Sequence, residues 1–293
     1  MTQLPPRELA FLVLINFIWG LNLIVSKIGV AHFPPVFFTA LRFTLLALVL
    51  LPFLRWHRGQ MQRLLIAATL SGGLQYALLF VGIRLASHVG SMAIAIQLGV
   101  PFTTLISILF LGEVIRWRRG LGIALAFAGV AIIAFQPGLL ENRAGLALIV
   151  ASSLVGSFGI VAVKSLGAQL KPLELQAWFA ISGLPVLWLL TGLLEDGQGT
   201  ALAQAGLIGW SALLYTALIS SLIAHTGYYW LVRRHPVTSL SPLTTLSPLF
   251  SVIIGVLFLG EPLTARLLLG GALTLLGVTI ISVRERRLAD TGT

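Results

Sequence analysis

Four side chains stand out because they carry hydrogen-bonding groups in the middle of apolar runs: Asn22, Gln75, Gln97 and His225. An amide or imidazole surrounded by hydrocarbon is costly unless it faces a partner or a polar cavity. Each can donate and accept, so together they could grip a small polar molecule reversibly. Covalent chemistry has little to work with. There is no cysteine, and the five histidines (His32, His57, His88, His225 and His235) are scattered without ligand spacing. The carboxylates do not pair along the sequence, so no nucleophile–base or metal constellation is expected. Aromatic residues flank the polar positions: Trp19 lies three residues before Asn22, and Tyr76, Phe80, Trp178 and Tyr228 could wall an apolar pocket. Ser71, Ser153, Ser157, Thr216 and Ser220 are weaker candidates, because hydroxyls in apolar helices commonly bond to neighbouring helices. No Asp or Glu falls at the middle of an apolar run, which argues against a carboxylate proton relay and for facilitated transfer. If protons are coupled, His225 is the mid-run group that titrates near neutrality. Amides plus aromatics without fixed negative charge suit a small zwitterion with an apolar body better than a phosphate or a permanent cation.

Arg42 is the one basic residue well inside an apolar run. Such a charge must pair, snorkel toward the outer surface or serve the substrate; two turns from the outer end, snorkelling and capping are the expected outcome. Pro101 and Pro248 lie near the middle of their runs, where a proline removes a helix hydrogen bond and bends the chain. In this reading they free the carbonyls of Gln97 and Thr244, and Pro242 frees that of Thr238.

The elements that must position these residues follow from composition. Of 293 residues, 57% are hydrophobic and 10% charged, against roughly 25% charged in soluble domains; mean hydropathy is +0.99. The solvent for such a surface is lipid. A span needs about 20 apolar residues, and ten runs qualify: 9–31, 35–54, 64–85, 88–111, 119–136, 144–165, 173–194, 206–232, 237–259 and 266–283. The first is read as a retained helix, not a cleaved signal peptide. The net charge of +10 sits in short clusters between runs, which is how topology is encoded and not how nucleic acid is bound. With the N-terminus inside, 14 Lys and Arg face the cytoplasm and four (Lys27, Arg84, Arg143 and Arg266) face outward. Both termini are therefore expected in the cytoplasm. Trp56, Trp117 and Trp210, near run ends, read as interfacial anchors.

Residues 106–133 and 254–281 are copies of one another at an offset of 148. They share Phe110/Phe258, Leu111/Leu259, Gly112/Gly260, Glu113/Glu261, Gly122/Gly270, Gly129/Gly277 and Val130/Val278. Over 86–135 against 234–283, 19 of 50 positions are identical. Five spans per copy is an odd number, so the second copy enters the membrane from the opposite side. Inverted repeats of this kind mark secondary transporters. The expected fold is an all-α membrane protein of ten transmembrane helices as two inverted five-helix repeats, with units at 1–137 and 138–293, the latter ending in a short basic tail. Glu113 and Glu261 close helices at opposite faces and are read as structural, meeting backbone amides or an Arg of the next helix.

A five-span repeat ending in Phe-Leu-Gly-Glu before a Gly-rich helix resembles the EamA family of the drug/metabolite transporter superfamily. Trp19-Gly20 with Asn22 and Lys27, Pro34-Pro35 followed by Arg42, and Pro101 also fit. Within the family the chain is most similar to the YddG-type exporters of aromatic amino acids. The second half departs from the pattern: Gln176-Ala177-Trp178-Phe179 stands where Arg42 would be matched, and Pro248 is one residue out of the Pro101 register. The resemblance implies a multi-pass inner-membrane carrier exporting amino acids or related metabolites by alternating access. The alternative is an exporter of hydrophobic drugs or organic cations. Lipid and a small-molecule substrate are the implied partners; no cofactor is implied, and ten spans can close a bundle without oligomerising.

Overall fold

The computed structural model describes residues 4–112, 117–135, 143–166, 170–232, 234–235 and 240–289. All regular structure among them is helical. Among the described residues, nine helices are long and apolar enough to cross a membrane: α1 (Pro6–His32), α2 (Pro35–Phe53), α3 (Met61–Leu85), α4 (Val89–Leu111), α5 (Trp117–Ala134), α6 (Arg143–Ser165), α7 (Pro172–Leu194), α8 (Gly206–Val232) and α10 (Ala265–Ser282). Between the last two lies a shorter apolar helix, α9 (Leu243–Leu259). The expected spans and the helices agree within a few residues; the start of the span expected at 237–259 lies outside the described residues. An additional short helix, Gln198–Gln204, links α7 to α8.

Local signals set these limits. Proline opens α1, α2 and α7, where its missing N–H has no helical partner to lose. Gly112 and Gly260 end α4 and α9 in the left-handed region, at φ 68° and 64°, a geometry that glycine adopts without strain. Outward faces carry Leu109, Phe110, Leu207, Leu257 and Phe258, all largely exposed as lipid contact requires. The buried side is built from Phe33, Phe38, Phe80, Met92 and Ile94 in one central cluster.

Two helices are irregular in ways that matter below. A wide π-type turn occupies Leu70–Leu74 in α3 and Tyr215–Ala224 in α8. At the offset of 148 the first maps inside the second. Likewise α4 breaks at Gln97–Leu98, where Gln97 and Leu98 donate to carbonyls three residues back, and α9 is entered through a 3-10 stretch at Ser241–Thr245 that overlaps its first residues. Pro101 and Pro248 are each the third residue of the α-helical segment that follows, Gly99–Leu111 and Leu246–Leu259. The one-residue mismatch between the prolines is thus absorbed in the breaks. The Gln97 carbonyl is not left open as expected, because the Val100 amide takes it at 3.2 Å.

Helices α5 and α10 meet along glycines. A Cβ on Gly122 would lie 2.9 Å from the Gly277 carbonyl, and one on Gly129 would collide with the Gly270 carbonyl and Thr274. Gly270 is the repeat mate of Gly122, and Gly277 that of Gly129, so the contact is reciprocal: Gly122 faces the mate of Gly129, and Gly129 faces the mate of Gly122.

Candidate functional site

The site is assembled by seven helices, α10 among them through Val278 and Ser282, around a cavity of about 370 Å³. From α1 come Trp19, Asn22 and Ser26, three or four residues apart and hence on one face. Helix α2 supplies Arg42, α3 supplies Tyr76 and Phe80, and α4 supplies Gln97 at its break. Helix α8 brings Ser220 and His225 from the wide turn and its end, and α9 brings Thr244, Ser247, Pro248 and Ser251. A second cavity of about 340 Å³ shares Gln97 and Ser282 with the first and adds Gln75, Thr103, Thr104, Ser153 and Ser157. A third, of about 180 Å³, shares Arg42, Tyr76 and His225 with the first and Gln75 with the second. None of these three cavities is lined by an Asp or a Glu.

Of the residues singled out in the sequence, Trp19, Asn22, Tyr76, Phe80, Gln97, His225 and Pro248 line the first cavity. Gln75 lines the other two, accommodated by the absence of a side chain on Gly156. Tyr228 packs edge-on against Trp19, with ring centroids 5.3 Å apart, and belongs to the apolar cluster of Leu12, Ile15 and Leu231 instead of a cavity wall. Trp178 is elsewhere: it is buried with Met61, Leu64 and Leu166, and its indole donates to the Arg55 carbonyl at 3.2 Å. Its place in the pocket is therefore withdrawn. It stands two residues past Gln176 on α7, and that offset turns the ring away from the face that Gln176 presents to α8. Pro101 is buried just after the α4 break and is not among the lining residues of the first cavity.

Around His225 one nitrogen has two neighbours. Nδ1 lies 2.8 Å from the Ser220 carbonyl and 3.4 Å from the Trp19 indole nitrogen. It cannot donate to one and accept from the other at once. The shorter contact sets the tautomer, so Nδ1–H donates to Ser220 and Nε2 carries the acceptor lone pair. The Trp19 contact is then mainly ring packing, at a centroid separation of 5.0 Å. The Ser220 carbonyl is five residues back, within reach because the π turn inserts an extra residue.

Arg42 overturns its expectation. It does not snorkel outward; it is 3% exposed and points into the bundle. Nε and Nη2 both donate to Ser221 Oγ, at 3.1 and 2.5 Å. Its Cζ lies 5.5 Å from the Tyr76 ring centroid and 5.6 Å from that of Phe80, close enough for cation–π attraction. Ser221 is itself held: its hydroxyl donates to the Thr216 carbonyl at 2.8 Å, and its carbonyl accepts from Gln176 Nε2. Arg42 and Gln176, the two residues that break the repeat pattern, therefore converge on one serine. The signal for Arg42 was present in the sequence as a lone cation inside a span. Ser221 carried none, and Gln176 stood out only as part of the stretch without an arginine, because both matter only through the wide turn of α8.

The carboxylates work at helix ends. Glu261 accepts from the Val89 and Gly90 amides at 2.5 and 3.0 Å, which fits the structural role read for it, although the amides belong to α4 and not to the next helix. Glu113 lies outside the described residues. Glu195, unremarked in the sequence, accepts from the Val36 and Phe37 amides, both at 2.8 Å. Glu174 pairs with His57, and Glu8 with His235 and Arg234.

Comparison with known proteins agrees with this architecture. The model of the EamA-like transporter family matches residues 7–135 and 143–283. A protein named "Probable amino-acid metabolite efflux pump" from Salmonella typhimurium is 29% identical, covering 96% of both chains. Its namesake from Escherichia coli K12 is 26% identical, covering 97% of both. A solved crystal structure 18% identical to this chain superposes with a TM-score of 0.51, over 94% of this chain and 98% of that one; at that identity it speaks to fold alone.

Proposed function

The chain belongs to the EamA-like transporter family, and from that premise we propose that it exports amino acids, aromatic and apolar ones first, and related metabolites across the inner membrane by facilitated alternating access. The observation that carries the reading is the lining of the central cavity: aromatic faces from Trp19, Tyr76 and Phe80, neutral hydrogen-bonding groups from Asn22, Gln97 and His225, and no carboxylate. Such a lining fits a zwitterion with an apolar side chain, whose charged groups meet polar side chains while its body meets rings. The names of the two efflux pumps point the same way. Gln75 serves the adjoining space, and Pro101 and Pro248 mark where α4 and α9 bend.

The proposed mechanism uses the two halves as inverted repeats, with both termini cytoplasmic. The reciprocal glycine contacts of α5 with α10 support a two-fold relation between halves, since each copy presents to the other what it receives. Matched irregular segments in α3 and α8, and in α4 and α9, supply places where helices can change bend without breaking the tight seam.

The test is counterflow. Liposomes containing the purified protein and loaded with unlabelled amino acid are offered labelled tryptophan, phenylalanine, alanine and lysine. Accumulation restricted to aromatic and apolar amino acids is expected. No counterflow of any amino acid by folded protein sinks the substrate assignment and turns attention to organic cations and hydrophobic drugs.

A further inference from the structure

Arg42 is, among the described residues, a buried cation without an anion. Among the described residues, the carboxylates Glu8, Glu174, Glu195, Asp196 and Glu261 all lie at helix ends or just beyond, and none is within ion-pair distance of it. Its hydrogen bonds to described residues go to a single neutral hydroxyl, that of Ser221. A guanidinium carries five donors, and a buried charge with so few partners is expensive. Yet Arg42 is held, not merely tolerated: Gln176 and the wide turn of α8 fix Ser221, and the Tyr76 and Phe80 rings flank the guanidinium. The same cavity contains Asn22, whose Oδ1 is buried without a donor.

We propose that Arg42 is the receptor for the substrate's carboxylate, with Asn22 Oδ1 accepting from the substrate's ammonium and the Tyr76 and Phe80 rings covering its apolar body. This rests on the amino-acid carrier reading and sharpens it: the free carboxylate becomes the obligatory recognition element, and amines or amides of the same shape are refused. It also accounts for the asymmetry between halves. A substrate with one carboxylate needs one guanidinium, and Gln176, in the stretch of the second half that lacks an arginine, serves to position Ser221.

The experiment uses the full chain in detergent, with thermal unfolding followed against phenylalanine, phenylalaninamide, 3-phenylpropionate and phenethylamine, together with counterflow of labelled phenylalanine. Phenylalanine, and more weakly 3-phenylpropionate, are expected to raise the unfolding midpoint, while the amide and the amine do not. R42Q is expected to raise the half-saturating phenylalanine concentration about tenfold or more, the loss that follows from removing a charge-assisted hydrogen bond, and R42K to recover part of it. The proposal is overturned if the amide and amine protect as well as phenylalanine, if no carboxylate protects, or if R42Q binds phenylalanine within twofold of the parent protein. Should R42Q not fold, the ligand series on the unmodified protein decides alone. Protection by 3-phenylpropionate without counterflow of any amino acid retires the amino-acid reading and leaves Arg42 as a carboxylate site. Amino-acid counterflow that the amide competes for equally well does the reverse.

Discussion

At the scale of single residues, the molecule separates groups that face the cavity from groups that hold helix ends. Trp19 and Trp178 make the contrast concrete. Trp19→Ala removes a wall of the cavity and the ring packed on His225; phenylalanine counterflow is expected to fall about tenfold, as loss of an aromatic contact with a bound ring implies. Trp178→Phe removes the hydrogen bond to the Arg55 carbonyl and leaves a smaller ring in the cluster of Met61, Leu64 and Leu166. It is expected to cost about 1–3 kcal/mol of stability and to leave counterflow within twofold, measured on the same preparations. Glu261→Ala strips the Val89 and Gly90 amides of their acceptor. Two buried donors left unsatisfied cost about 1–3 kcal/mol each, so a clear fall in the thermal unfolding midpoint is expected. Trp19 and Trp178 cannot be told apart by residue type, since both are tryptophans in apolar helices. The difference lies in which way each ring points, and that is set by neighbours far away in sequence.

At the scale of helices, the seam and the hinges have opposite requirements. The α5–α10 seam depends on glycines that let two backbones touch, so Gly122→Leu must push against the Gly277 carbonyl and Ile280. Overpacking of this kind costs about 1–3 kcal/mol, and a lowered unfolding midpoint with reduced folded yield is the expected result. At the hinge, Pro248→Ala restores an amide in the first turn of the α-helical part of α9. Stability is expected to hold or rise while the counterflow rate falls several-fold, because a straighter α9 resists bending; an unchanged rate in stable protein would remove Pro248 from the mechanism. The prolines, the terminal glycines and the spans were legible because backbone chemistry is local. The wide turns in α3 and α8 were not. A π turn depends on what the extra residue meets across the bundle, as where Ser221 is bonded by both Arg42 and Gln176.

For the whole molecule, the three central cavities are free of Asp and Glu, and the described carboxylates sit at helix ends. Transport without a carboxylate relay should be downhill and electrically simple for a zwitterion. Phenylalanine uptake into liposomes is therefore expected to reach the external concentration and stop, and to respond less than twofold to an imposed pH gradient. Accumulation driven by the gradient, lost in His225→Ala, would instead assign proton coupling to His225, which lines the cavity beside Trp19.

The amino-acid sequence by itself determined the solvent, the spans and the family. An apolar run long enough to cross a bilayer has no other stable place, and the Phe-Leu-Gly-Glu ending with its Gly-rich helix is contiguous along the chain. It also singled out Asn22, Gln75, Gln97 and His225, because hydrogen-bonding groups in hydrocarbon must find polar company. Only the tertiary structure decided what that company is. Whether Arg42 turns outward to water or inward to Ser221 depends on the packing of α2 against α7 and α8, and a helix turned by one residue, about 100°, moves a side chain from lipid to cavity. Rotation about a helix axis leaves almost no trace in local sequence when nearly every position is apolar, so in this protein the pattern of spans is written along the chain and the inside of the bundle is not.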